Sequence, residues 1–286
     1  MRRYRLMLAA AAILFSTGGA AIKAIHFSAW QVASFRSGIA ALVLLAALPE
    51  ARRGWSWRIA PVSAAYAATL ILFVVANRLT TAANAIFLQS TAPLFILLLA
   101  PVILHEKIRR ADVVYMLFVL AGVTLFFIGT ESAVATAPDP QRGNAVALAS
   151  GVTYALMLIG LRWLAKHGAA SAGLAATTLG NIFAFLCALP MALPVAHAAA
   201  SDLAVLLYVG VIQVGLAYVL LTHGIRHVPA LEATALLMLE PAMNPFWSWL
   251  VRGERPGPLP LTGGVVILAA SAVNTWLRRV PDDAKP

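Results

Sequence analysis

Charged residues are spaced so unevenly along this chain that the intervals between them read as membrane spans. No Asp, Glu, Lys or Arg occurs from 59 to 77, from 79 to 104, or from 256 to 277. A spanning helix takes about 20 mostly apolar residues. Reading between charges and turn residues gives ten such stretches, at roughly 5–24, 28–48, 58–78, 82–104, 112–130, 143–164, 172–194, 202–223, 230–251 and 259–278. The ninth is the least regular, because Glu232 and Glu240 interrupt it. The first follows Arg2, Arg3 and Arg5 as a signal peptide would, but no small-x-small cleavage site precedes a soluble domain, so it reads as a retained helix. The expected fold class is all-α and integral to the membrane.

A repeat lies beneath the spans. TAPLFILLLAPVILHE, Thr91 to Glu106, is echoed by LEPAMNPFWSWLVRGE, Leu239 to Glu254. Pro93 precedes Glu106 by 13 positions and Pro241 precedes Glu254 by the same 13, an offset of 148 in a chain of 286. A period of half the chain divides it into a first five-helix unit (1–130), a connecting loop (131–142), a second five-helix unit (143–280) and a short tail (281–286). Five is odd, so the second unit enters the membrane opposite to the first, the inverted repeat by which many secondary transporters alternate access around a central site.

Composition removes the soluble alternatives. Apolar residues make up 61% of the sequence and charged residues 11%, with a mean hydropathy of +0.85. A soluble domain carries about a quarter of its residues charged. The net charge of +10 would otherwise suggest nucleic acid as a partner, but the basic residues cluster in the short connections, where they set membrane orientation. Fifteen of the 21 fall at one set of span ends, five (Lys23, Arg78, Arg142, Arg252, Arg255) at the other, and Arg36 lies inside the second span. This distribution puts both termini in the cytoplasm. One cysteine, Cys187, and six scattered histidines offer neither a disulfide framework nor a metal site, and no cofactor is expected.

The candidate chemistry is polar groups within apolar helices. Glu240 is a carboxylate in mid-span, costly unless paired or wet, and Pro241 after it frees the carbonyl of Leu237. Glu240 is either a cavity acid for a proton or a cationic group of the substrate, or a structural acid bonded to a neighbouring helix. Arg36 keeps its charge at any physiological pH. It either binds a substrate carboxylate, pairs with Glu240 or a loop-end carbonyl, or snorkels to the interface. Asn77, Gln89, Tyr154, Asn181, Gln213 and Tyr218 are candidate cavity linings, or else interhelical glue. Pro93, Pro241 and Pro245 read as kinks that can act as hinges, or as prolines merely tolerated in packed helices. Glu106 and Glu254 end their helices beside basic residues, as loop-level pairing that fixes the half-bundles, or a gating role, would require. Trp55, Trp57, Trp247, Trp249 and Trp276 fit an interfacial belt.

The stretches Ala76–Phe127 and His223–Val273 carry a resemblance more specific than pattern. The Leu-Glu-Pro at 239–241, the helix-ending Glu106 and Glu254, and Gly122 and Gly263 in the following helices make the chain similar to drug/metabolite transporters of the EamA-like type. That resemblance implies ten helices in two repeats, and carriage of a small-molecule solute, often export of amino acids or amphipathic compounds, across a bacterial inner membrane. The sequence departs from symmetry at one point: Ala92 precedes Pro93 where Glu240 precedes Pro241. Two other classes compete. A membrane-embedded enzyme on lipid-linked substrates needs clustered Asp, His or Ser, and no HExxH or GxSxG occurs, nor any pair of aspartates beside an apolar span apart from Asp282-Asp283 in the tail. A channel needs a repeated polar ring or filter, and none is evident.

Overall fold

The computed structural model describes residues 2–103, 110–128, 132–196, 198–225, 227–228 and 230–277. Glu106, several of the counted basic residues (among them Lys107, Arg109, Arg226 and Arg278) and the tail at 281–286 lie outside the described residues. The described chain is helical throughout: α1 (Arg2–Ser16), α2 (Gly18–Ala24), α3 (Ala29–Ala47), α4 (Ala60–Leu79), α5 (Ala82–Gln89), α6 (Ala92–Ile103), α7 (Arg110–Ile128), α8 (Pro140–His167), α9 (Ala172–Ala192), α10 (Ala200–Leu207), a π-helical stretch (Tyr208–Leu216), α11 (Ala217–Ile225), α12 (Ala230–Leu237), α13 (Leu239–Arg252) and α14 (Pro258–Leu277). Seven of the described helices are long and apolar enough to cross a membrane, counting those that continue across short breaks. Asp112–Ile128 and Pro258–Asn274 are apolar but shorter.

Local signals account for where the helices begin and end. Ser28 starts α3 with a reciprocal capping box, its hydroxyl accepting from the Gln31 N–H while the Gln31 side chain accepts from the Ser28 N–H. Thr81 caps α5 by accepting from the Asn84 N–H. Asp139 caps α8 with Pro140 at the first position. Gly253 ends α13 in the left-handed conformation, φ 63°. Its N–H bonds the Trp249 carbonyl, the αL closure, and the Glu254 N–H reaches back to that of Ser248.

The bundle is knit by α4 against α8 and α9, α3 against α9, and α7 against α14. Its interior is alanine-rich, which lets helices approach without a hydrophobic drive between them. Large apolar side chains such as Leu42, Leu117, Phe118, Ile128, Leu186 and Leu250 point outward, as lipid contact requires.

Contacts collect the connections at two ends of the bundle. One end gathers residues near 23–28, 78–82, 136–144, 202 and 254: Arg78 donates to the Ile25 and Phe27 carbonyls, His26 meets Asp202 at 3.0 Å, and the Asp139 N–H bonds Leu79. The other gathers the amino terminus with the α11–α12 connection. There Tyr4 stacks on His227, with centroids 3.8 Å apart, and Arg5 pairs with Glu232 at 2.6 Å. Glu232, one of the two acids that interrupt the ninth apolar stretch, is thus paired at its end rather than carried into its middle.

Candidate functional site

Two of the long helices are broken at matching places. Between α5 and α6 the ladder fails at Ser90–Thr91, where Pro93 has no N–H to offer. The turn tightens, with the Thr91 N–H bonding Leu88 at 3.2 Å and the Leu94 N–H bonding Thr91 at 2.8 Å. Between α12 and α13 the break falls at Met238, three residues ahead of Pro241. A Cβ on Gly151 of α8 would lie 3.0 Å from the Leu88 carbonyl, so a glycine there lets α8 pack closely on the first break.

Both breaks open onto one cavity of about 470 Å³. From α4 it is lined by Tyr66, Thr69, Leu70 and Phe73, one face at helical spacing. The first break supplies Gln89, Ser90, Ala92 and Pro93; the second supplies Leu237, Met238, Glu240 and Pro241. Phe15 of α1, Arg36 of α3, Tyr154, Met157 and Leu158 of α8, and Leu268 and Ser271 of α14 complete the walls, with Gln213, Val214, Tyr218 and Leu221 from the π-helical stretch and α11. The wider π turn is a frequent mark of functional positions, and here it carries Gln213 to the cavity.

Arg36 and Glu240 therefore border the same space, but no ion pair joins them. Arg36 is 3% exposed, so it does not snorkel to the interface. Its Nε is buried with no hydrogen-bond partner. Beside it the rings of Tyr66 and Tyr218 stand 6.1 Å apart, and Phe15 meets Tyr218 edge-on at 5.2 Å. Polar neighbours hold several linings in place: Gln89 Nε2 donates to Ser150 Oγ at 2.6 Å, Gln213 Nε2 to the Phe15 carbonyl at 3.2 Å, and Thr69 to Thr153 at 3.0 Å. Of the polar and proline candidates read from sequence, Glu240, Arg36, Gln89, Tyr154, Gln213, Tyr218, Pro93 and Pro241 line this space.

Asn77, Asn181 and Pro245 are placed elsewhere. Asn77 donates to the Phe73 carbonyl at 2.9 Å, and Asn181 to Thr177 at 3.0 Å and to the Tyr66 hydroxyl at 3.4 Å. Both are packed behind the cavity wall, Asn181 as a support for Tyr66. Pro245 lies inside α13, in a helix that continues through it. Trp247 also departs from the belt expectation, since its indole N–H turns inward to Ser16 Oγ at 2.8 Å.

Sequence reading missed Tyr66, Thr69, Ser90 and Ser271, because hydroxyl groups on apolar helices carry no pattern of their own. It also missed a buried ion pair. Glu254 does not pair with Arg252 or Arg255 nearby in sequence; it meets Lys23 at 3.0 Å, their side chains 3% and 2% exposed for Lys23 and Glu254. Lys23 Nζ also donates to the Thr80 carbonyl at 2.6 Å and to that of Thr136, while Glu254 Oε2 accepts from the Ala82 N–H at 2.8 Å. Spacing alone could not connect positions separated by most of the chain.

Comparisons with known proteins fall into line with this architecture. A model of the EamA-like transporter family matches the chain twice, over residues 3–128 and 141–276. The "Uncharacterized transporter YetK" of Bacillus subtilis (strain 168) is 30% identical over 160 residues, 53% of this chain and 47% of that protein. The chain thus spans about half the length of that curated relative. A protein solved by crystallography superposes with a TM-score of 0.63 at 19% identity, covering 96% of this chain and 98% of its own, a likeness of fold. Matched twice by one family model across nearly all of its residues, this multi-pass membrane protein belongs to the EamA-like transporter family.

Proposed function

We propose that the chain is a secondary transporter exporting small metabolites, such as amino acids or amphipathic compounds, by alternating access around the central cavity. In this reading ten helices cross a bacterial inner membrane as two inverted five-helix repeats, with both termini cytoplasmic. The repeats correspond to 1–130 and 143–280, joined by 131–142. The double family match and the paired helix breaks at Pro93 and Pro241 support it.

The observation that carries the reading is a single cavity bordered by both breaks, with an unpaired cation and an acid in its walls. Arg36 offers donors to a solute carboxylate and Glu240 an acceptor to its ammonium group, while Gln89, Gln213, Tyr154 and Tyr218 supply neutral donors and acceptors. The apolar remainder (Phe15, Phe73, Met157, Leu268) suits an apolar side chain. Pro93 and Pro241 are the hinges, with Pro245 deeper in α13. Asn181 serves the site at one remove, by holding Tyr66, and Asn77 stands behind the wall.

The test is counterflow in proteoliposomes. Saturable uptake of labelled amino acid, accelerated by unlabelled amino acid inside, is expected; non-saturating, ohmic flux would refute a carrier. Proton coupling through Glu240 is part of the proposal. Replacing it with Gln should abolish flux driven by a pH gradient while counterflow persists at a raised KM, and unchanged coupling would exclude Glu240 as the proton site.

A further inference from the structure

The route between the cavity and the Lys23 end of the bundle is closed by groups that are ill suited to permanent burial. Glu240, Asn244 and Ser248 recur at intervals of four on α13, so they share one face leading away from the cavity. Asn244 and Ser248 are each 1% exposed, yet both amide atoms of Asn244 and the Ser248 hydroxyl lack any hydrogen-bond partner. A buried polar group without a partner is costly, and water or solute would relieve that cost if this face were open in another state.

α1, α2 and α5 all pack on α13, and the one that meets Asn244 is α2, the short helix set off from α1 at Thr17. A Cβ on Gly19 would stand 2.7 Å from Asn244 Oδ1 and 2.8 Å from Ala82 Cβ, and one on Gly18 would stand 2.7 Å from Gln213 Nε2. Only a side-chain-free edge of α2 fits there. Four residues past Gly19, Lys23 fastens the end of α2 to Glu254 and to the Thr80 and Thr136 carbonyls. Glu254 in turn is swung into place by the left-handed Gly253, and it holds the first N–H of α5.

We infer that Lys23–Glu254 is a gate: it locks α2 across the Asn244–Ser248 face, and breaking it opens a polar route from the cavity to this end of the bundle. The inference rests on the transport reading for what travels along the route, but the opening itself can be measured without a solute. Cys187 is the one native cysteine, so Cys187→Ser supplies a silent background. In that background Ser248→Cys reports on the face, and Ala175→Cys, fully buried against Ile59 and Leu164 at the other end, reports on general loosening.

The probe is a membrane-impermeant, charged methanethiosulfonate. With the native pair, Ser248→Cys is expected to label slowly; adding Glu254→Gln should raise that rate about tenfold or more, as loss of one charge-assisted contact predicts. Lys23→Arg, which keeps charge and donors, should stay near the parent rate, and Ala175→Cys should not respond. An unchanged rate at Ser248→Cys, or equal acceleration at Ala175→Cys, overturns the gate. Should Glu254→Gln fail to fold, Glu254→Asp weakens the contact by geometry alone and carries the same expectation in smaller measure. The counterflow assay is run with the pair intact, so failure of the transport reading and failure of the gate register in separate experiments.

Discussion

Arg36 offers the sharpest discrimination between a cation kept for the fold and one kept for a ligand. It is buried, its Nε has no partner, and no carboxylate pairs with it among the described residues. A structural arginine would be tied down, and removing it would strand its partner at a cost of about 3–5 kcal/mol. Here nothing is stranded. Arg36→Met keeps most of the volume and discards an uncompensated charge, so it should leave stability unchanged or raise it by about 1 kcal/mol or more. The same change should weaken binding of a carboxylate-bearing solute by about 1.5–3 kcal/mol, the worth of hydrogen bonds to a charged group, or about 10- to 150-fold in Kd. Binding of phenylalanine and of phenethylamine, which lacks the carboxylate, would be compared in purified protein by calorimetry, alongside thermal unfolding. The expected pattern is a large loss for phenylalanine, little change for the amine, partial recovery in Arg36→Lys, and an undiminished Tm. A sharp fall in Tm with the phenylalanine affinity preserved would refute the assignment and make Arg36 a structural cation.

Three further changes follow from named contacts. Gly253→Ala forces a left-handed residue to carry a Cβ, which should cost about 1 kcal/mol and lower Tm by about 2–4 °C in a thermal scan. Gly210→Val would set a Cβ 2.6 Å from the Ile39 side chain, so overpacking of α3 on the π-helical stretch should cost about 1–3 kcal/mol, measured the same way. Gln89→Leu, at the cavity wall, should raise the KM of counterflow, whereas Asn77→Leu, behind it, should leave KM within about twofold; equal effects would mean the wall as drawn does not bound the solute.

The helical architecture was legible because apolar length is set by the membrane itself: the uncharged runs 59–77 and 79–104 coincide closely with α4 and with α5 plus α6. The helix breaks were legible only in part: Pro93 and Pro241 mark them, but Pro245, which equally cannot donate a backbone bond, lies inside an unbroken α13. Most of the cavity's polar candidates were visible for a related reason, namely that a polar side chain on an apolar helix has few uses besides bonding a neighbour or facing a cavity. That choice between uses was not legible. Asn77 and Gln89 look alike in sequence, and only the carbonyl of Phe73 against the open wall separates them. Nor was the Lys23–Glu254 pair, whose members meet only through packing of the amino-terminal helices on α13.

The repeat explains why the site is symmetric in backbone and asymmetric in chemistry. A proline just after each break withholds a backbone donor at the same place in the repeat, so both halves deliver a helix end to the cavity. Side chains at those ends are free to differ, and they do: Gln89 and Ala92 stand where the second half has Leu237 and Glu240. A solute whose two ends differ in charge can be oriented by such a pair of ends, whereas two identical ends would give it no preference. The Ala92→Glu change tests this directly, because it restores the acid to the first break. It should leave the breaks intact, add a second carboxylate to the cavity wall, and shift preference from zwitterions toward dications in counterflow competition. An unaltered preference would mean that the acid's position at the break, and not merely its presence, has no part in selecting the solute.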